Sequence, residues 1–249
     1  MIMPRTRSRK YWNYWREMVN ASTGRNTIEL PAFLSLADFE GKKALDAGSG
    51  VGRVAFKING FARRITCVDE SPAALKILRS EIKRQCLNGK VKAVKGDIRA
   101  LPFKNNSFGI VYALWVIHNY KKDWQGILEE LNRVCRKGGA VIVCFSGGNS
   151  DLPKLEAIAR HDLKERKAFR GKVLSFLKKL NGNSFSKPVL LPFKFESPEW
   201  AFKVFSETFL PKPLPGKAAE KCLAFLKSHS SKKGCVVRQE AVFCTSVKA

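Results

Sequence analysis

Apolar and polar positions change their period along this chain in a regular way. Lys43 to Asp46 reads as a short apolar strand that ends in a glycine-rich turn, and a helix follows to about Ile58, stopping at Gly60. Ile65 to Val68 is a second strand, with Asp69 at its end. Ser71-Pro72 predicts a helix start, Ser as cap and Pro at the first helical position. That helix runs to about Cys86, with Leu75, Leu78, Ile82 and Cys86 spaced for one buried face. Val91 to Val94 is a third strand and Phe108 to Leu114 a fourth. Trp124 to Cys135 is amphipathic and helical, closed by Lys137-Gly138-Gly139. Ala140 to Phe145 is the fifth strand. This alternation predicts a parallel sheet with helices on both faces.

The rhythm changes after residue 145. Leu152 to Leu180 reads as mostly helical, Val189 to Phe195 as extended, and Ser197-Pro198-Glu199 as the start of another helix that ends before Pro211. Ala218 to Ser228 is helical, and Arg238 to Val247 alternates as a closing strand. Residues 9–20, aromatic and basic, form a helix ahead of everything else. No linker separates independent units, so one domain is expected over 1–249: an N-terminal helical lid (1–37), a core (38–146) and an elaboration with the closing strand (147–249).

Composition changes the picture in one respect. Lys and Arg number 46 against 21 Asp and Glu, a formal net charge of +25. Residues 1–30 hold 6 basic and 2 acidic side chains, residues 31–150 hold 20 and 10, and residues 151–249 hold 20 and 9. The excess is therefore not a tail. Its densest run is Lys164, Arg166, Lys167, Arg170, Lys172, Lys178 and Lys179, with Glu165 opposed. Such a field attracts polyanions such as RNA, ribosomes or anionic lipid; a general lysine bias that favours solubility is the alternative. Seven cysteines form no CxxC pair, and with three histidines no zinc spacing appears. Free thiols in a reducing cytoplasm and no metal are expected. The apolar runs are too short to span a bilayer, and no secretion signal is read at the basic, aromatic N-terminus.

The chemistry concentrates in Asp46-Ala47-Gly48-Ser49-Gly50-Val51-Gly52. Alternate glycines allow a tight strand-to-helix turn and let a ligand lie against the main chain. Asp69, at the second strand's end, is placed to accept hydrogen bonds from a ribose; a helix-capping or solvated acid is the alternative. The dinucleotide fingerprint GxGxxG fails, because its third glycine position is Arg53. That disfavours NAD.

D-A-G-S-G-V-G-R, C-V-D-E-S-P, K-G-D-I-R-A-L-P-F, F-G-I-V-Y-A-L and L-N-R-V-C-R-K-G-G occur in this order over roughly residues 40–146. Together they resemble the class I S-adenosylmethionine-dependent methyltransferases, and most the subgroup called methyltransferase type eleven, related to ubiquinone-biosynthesis C-methyltransferases. The resemblance implies a Rossmann-like, doubly wound α/β fold: a seven-stranded sheet, mostly parallel, with an antiparallel C-terminal strand. It implies S-adenosylmethionine as cofactor. Asp46, Gly48, Ser49, Gly50 and Gly52 would face its methionine part and ribose. Asp69, with Glu70 beside it, would bind the ribose hydroxyls. Asp97 would accept from the adenine amino group, Ile98 would pack near the ring, and Ala113 and Leu114 would line the methionine end.

Methyl transfer from a sulfonium is mostly alignment and exclusion of water. A base is needed only if the acceptor must lose a proton, and His118 is the candidate; a packing or capping histidine is the alternative. Trp115 and Tyr120 wall the acceptor pocket, shield the sulfonium by cation–π contact, or pack in the core. Tyr11, Trp12, Tyr14 and Trp15 either form a lid, with Tyr14 toward the substrate, or dock as an amphipathic helix. A small-molecule acceptor is expected. An RNA or ribosome methyltransferase is the rival that the charge suggests, though no N/D-P-P-Y/F stretch for stacking a flipped base follows the fourth strand. A non-catalytic binding protein on the same fold is a third reading.

Overall fold

The computed structural model describes residues 9–22, 24–120, 122–160, 164–210 and 214–249. Helix α1 (Arg9–Ala21) is followed by a π-helical turn (Arg25–Glu29) and a short α2 (Leu30–Leu34). The core then alternates β1 (Lys43–Ala47), α3 (Arg53–Ile58), β2 (Arg64–Asp69), α4 (Pro72–Arg84), β3 (Val91–Lys95), β4 (Phe108–Leu114), α5 (Trp124–Val134) and β5 (Cys135–Ser146). The last part comprises α6 (Asp151–Arg160), α7 (Lys164–Asn181), β6 (Phe185–Phe195), α8 (Pro198–Thr208), α9 (Gly216–Ser228), the two-residue β7 (Ser230–Ser231) and β8 (Gly234–Val247).

The strands form one sheet in the order β3-β2-β1-β4-β5-β8-β6, with β7 paired to β8 off this path. Pairings from β3 through β5 are parallel, and β8 runs antiparallel to both neighbours, β5 and β6. The expected seven-strand, mostly parallel sheet is thus present along the main path, with β7 as an added fragment. The chain leaves β1 outward through β2 and β3, then crosses back to β4. The order therefore reverses between β1 and β4, and a crevice opens at the carboxyl ends of those two strands.

Both faces of the sheet are buried. Ala44, Ile110, Tyr112, Ile142 and Cys144 face one core, with Leu75 and Leu78 of α4 and with α8 and α9. Leu45, Val111, Ala113, Val141 and Val143 alternate onto the other, with Ile127, Leu128 and Leu131 of α5 and Val173 and Leu177 of α7. All seven residues of β4 are buried, as befits a central strand covered twice.

Three local readings change. The α5 helix ends at Val134, and Cys135 already pairs with Phe108 as strand. Lys137-Gly138-Gly139 is therefore not a helix cap: Gly138, at φ 68°, lies in an irregular start of β5 where its N–H bonds the Lys248 carbonyl. Strand β6 begins earlier than the apolar run, at Phe185, because β8 extends its pairing that far. Residues 25–34, unread from periodicity, coil into two short helical turns. Ser22 also makes an antiparallel bridge to Phe193, so the N-terminal segment partly covers the β6 edge. Elsewhere α1 packs on α8, and α6 on α9. Among the described residues no helix is long and apolar enough to cross a membrane.

Candidate cofactor and acceptor site

The crevice is built around the turn after β1. Gly48, Gly50 and Gly52 hold φ of 76°, 56° and 83°, a left-handed series that L side chains avoid. Space agrees with conformation: a Cβ at Gly52 would lie 2.4 Å from Leu78 Cδ1, and one at Gly48 2.7 Å from a Val116 methyl. The N–H groups of Gly48 and Ser49 both donate to the Val68 carbonyl, at 2.8 and 2.9 Å.

Asp69 closes β2 and locks this turn. Its Oδ2 accepts from the Gly50 N–H at 2.8 Å, and its Oδ1 from the Ser71 N–H at 2.8 Å. Ser71 Oγ accepts from Ala74 N–H at 3.3 Å as the cap of α4. One carboxylate thus sets the distance between the glycine turn and the next helix. Asp46, on β1, is buried at 4% exposure. Burial pushes its carboxyl up to about 7, against the pull of the Arg53 charge.

The second acidic group follows β3. Asp97 accepts from the Arg99 backbone N–H and pairs with its guanidinium, while the neighbouring Ile98 is buried. The Arg99 guanidinium lies 5.8 Å from the Tyr120 ring centre. Burial, reinforced by the charges of Glu70 and Asp97, raises the Tyr120 hydroxyl to about 12, so it is a neutral phenol at any physiological pH. Glu70, Asp97 and Tyr120 thereby share one electrostatic neighbourhood beside Asp69. His118 lies half-buried in the 3-10 turn Ile117–Asn119. Ala113 and Leu114 are buried at the end of β4.

Sequence reasoning missed a buried ionic cluster beside this turn. Glu29, at 2% exposure, receives Arg53 end-on, Nη1 and Nη2 each donating to one of its oxygens at 2.9 Å. It also accepts from Arg25 Nη1 at 3.2 and 3.1 Å and from the Trp115 indole N–H at 2.6 Å. Burial pushes Glu29 up, but the charges of Arg25 and Arg53 and the hydrogen bonds outweigh it, and the carboxyl falls to about 2. Trp115 itself sits at φ +64°, a costly conformation for a bulky residue. Glu29 therefore joins three segments: the N-terminal turn, the start of α3 and the residue after β4. The i, i+4 spacing of Arg25 and Glu29 was the available signal. Arg53, singled out in the sequence only as a misplaced third glycine, is the helix residue that makes this junction. Tyr14 lies elsewhere in the N-terminal segment, its ring 6.4 Å from that of Trp200 on α8. The side chains of Tyr11 and Trp12 lie outside the described residues. Among the described residues no cluster of His, Cys, Asp and Glu could hold a metal.

This geometry suits a nucleoside with a short charged tail. The turn brings main chain against the crevice floor, and acids stand at the ends of β1, β2 and β3. The start of α3 carries an arginine committed to Glu29 and not to a pyrophosphate.

A family model described as "Methyltransferase domain" matches residues 45–143. The sterol 4-C-methyltransferase of Caenorhabditis elegans is 28% identical over 104 residues, 42% of this chain and 31% of that protein. A ubiquinone/menaquinone biosynthesis C-methyltransferase of Shewanella is 29% identical over 106 residues, covering 41% and 42%. The chain thus spans less than half the length of these curated relatives. Among solved structures, a putative methyltransferase from Bacillus halodurans superposes with a TM-score of 0.64 at 18% identity, covering 90% of this chain and 99% of that one. A phosphoethanolamine N-methyltransferase of Haemonchus contortus, solved with S-adenosylhomocysteine, gives 0.60 at 19%, covering 89% and 52%. These likenesses extend the fold well beyond the matched segment.

Proposed function

We propose that this chain, which matches a methyltransferase-domain family model over residues 45–143, is a class I enzyme that transfers the methyl group of S-adenosylmethionine to a small-molecule acceptor. The observation that carries this reading is the Asp69–Gly50 lock on a left-handed glycine turn at the point where strand order reverses. The relatives named for sterol and quinone methylation support an acceptor of that size.

The bound cofactor supplies an already activated methyl group on a sulfonium. The chain's own residues bind and orient. Asp69, with Glu70 beside it, takes the ribose hydroxyls. Asp97 and Ile98 hold the adenine, polar edge and ring face respectively. Gly48, Ser49, Gly50, Gly52, Ala113 and Leu114 lie along the methionine part, and Asp46 offers a carboxylate toward the cation. Trp115, held by Glu29, and the neutral phenol of Tyr120 wall the acceptor side and keep water out. His118 accepts a proton where the acceptor must lose one. The whole chain acts as one domain, residues 147–249 forming the acceptor side together with Tyr14 and the N-terminal helix. Its free thiols, six of seven buried, suit a reducing cytoplasm.

Calorimetric titration with S-adenosylmethionine tests this. Micromolar affinity, reduced at least about tenfold in Asp69→Asn and absent for NAD, is the expected result. A folded protein that ignores S-adenosylmethionine overturns the reading.

A further inference from the structure

The two ends of the sheet carry opposite charge. The crevice lies at the carboxyl ends of the parallel strands, where Asp69, Glu70 and Asp97 stand. The opposite rim is formed at the amino ends of β1 to β6 and at the carboxyl end of β8, by residues 35–43, 59–64, 85–90, 103–107, 135–139, 182–184 and 247–249. These segments hold nine basic side chains and two acidic ones, Asp38 and Glu40. Lys42 is committed to Asp38 at 3.0 Å, and Lys248 turns toward Asn106 and the carbonyls of Asn132 and Cys135. Lys43, Arg63, Arg64, Lys104, Arg136 and Lys137 are exposed.

The same rim exposes apolar side chains. Of the five large hydrophobic side chains exposed among the described residues, three are here: Phe61 at 53%, Phe185 at 58% and Val247 at 49%. A single apolar side chain at a surface is ordinary, but three gathered at one end of a sheet among cations mark a contact face. Phe61 is carried on a fixed turn. Its N–H bonds the Ile58 carbonyl at 2.9 Å, Ala62 bridges to Glu40, and the Arg63 N–H bonds the Lys42 carbonyl at 2.9 Å. Phe185 opens β6 opposite Thr245, and Val247 follows two residues on, so Phe185 and Val247 are diagonal neighbours on one face. In the strand order Lys43 of β1 and Arg136 and Lys137 of β5 stand between these two apolar points.

We propose that this rim docks on an anionic lipid bilayer, its cations meeting the headgroups while Phe61, Phe185 and Val247 enter the interfacial layer. Charge complementarity selects an anionic partner. The apolar points separate a bilayer from RNA: at a bilayer they leave water for the acyl boundary, whereas phosphate contacts need only the cations. None of these residues belongs to the cofactor crevice. A chain docked this way turns that crevice away from the bilayer, and the acceptor reaches it from water.

Co-sedimentation of the full chain with vesicles tests this, comparing phosphatidylcholine alone with phosphatidylcholine containing about one-third phosphatidylserine. The expected result is binding to the mixed vesicles and little to phosphatidylcholine alone. Phe61→Ser with Phe185→Ser lowers affinity for the mixed vesicles at least about tenfold, because two half-exposed rings no longer leave water. Arg63→Glu with Lys137→Glu lowers it at least about thirtyfold. All four positions are exposed, and thermal melts close to that of the wild type report that both variants are folded. A wild type that ignores the mixed vesicles overturns the proposal. So does an apolar variant that binds them as the wild type does, since the rim is then a plain polyanion surface of the kind RNA uses. A chain that is dimeric in sedimentation velocity, monomeric in the apolar variant and indifferent to vesicles also overturns it, and gives the face to a second copy.

Discussion

Two buried carboxyls in the site titrate in opposite directions, and each gives a distinct pH dependence. Asp46 is raised to about 7 by burial, so the folded chain holds a proton there that the unfolded chain releases near pH 4. Its contribution to stability is full below that pH and is lost as pH rises toward 7. Asp46→Asn therefore unfolds at higher urea than wild type at pH 8, by about 2–4 kcal/mol, with the gap closing at pH 4. A bound sulfonium favours the ionised carboxylate, so wild-type affinity for S-adenosylmethionine rises by about tenfold from pH 6 to 8. In Asp46→Asn that slope is flat. Glu29, lowered to about 2, stabilises the fold above its ordinary range and loses that contribution only as pH falls toward 2. Glu29→Gln leaves Arg25 and Arg53 buried without their counter-charge and costs about 3–5 kcal/mol in a urea melt at pH 7. The place of Asp46, near the end of β1 ahead of the glycine turn, was legible in the sequence because the apolar run and the glycines after it fix where the strand stops. Of the partners of Glu29 only Arg25, four positions back, left a trace in the sequence; Arg53 and Trp115 lie 24 and 86 positions away, and only tertiary packing brings them to it.

At the scale of elements, the two serine caps separate site from scaffold. Ser71 Oγ caps α4 two residues after Asp69, and Ser197 Oγ caps α8 through the Trp200 N–H at 3.0 Å. Either Ser→Ala change costs about 1 kcal/mol of stability. Only Ser71→Ala also weakens S-adenosylhomocysteine binding, because losing the Oγ cap loosens the first turn of α4, which holds the Ser71 N–H against Asp69; parallel thermal melts and calorimetry distinguish the pair. An equal loss of affinity in Ser197→Ala would contradict that division. Both caps were visible as Ser-Pro before a periodic run, and β4 was read to the residue, because a long apolar run between turn signals leaves little choice. The start of β5 was misread for an equally physical reason. Lys137-Gly138-Gly139 has the chemistry of a helix C-terminus, but Cys135 finds a strand partner in Phe108, and sheet pairing takes precedence over the local preference. The coil at 25–34 carries no period of its own and takes its shape from what it covers.

At the scale of the molecule, the charge and the site make separate demands. Six basic residues of one flank, Lys76, Arg79 and Lys83 on α4, Lys92 and Lys95 on the edge strand β3, and Arg64 on β2, are exposed, while the acids of the site stand at the ends of the strands behind them. The ionic pairs that shape the site are local and mostly buried, whereas this flank is solvated. An excess of 25 positive charges draws a polyanion through counterion release, a contribution that collapses with salt. Binding of a fluorescent oligouridylate is therefore expected to fall by at least about a hundredfold between 50 and 200 mM salt. Affinity for S-adenosylhomocysteine, set by short and partly buried contacts, changes by less than about threefold over the same range. Reversing Lys76, Arg79 and Lys83 to Glu weakens the oligonucleotide and leaves the nucleoside untouched. If the reversal weakens both equally, the basic flank and the crevice are one binding surface, and an RNA acceptor displaces the small molecule as the better reading. If it weakens only the oligonucleotide, the charge is a property of the surface, and the search for the acceptor belongs among metabolites.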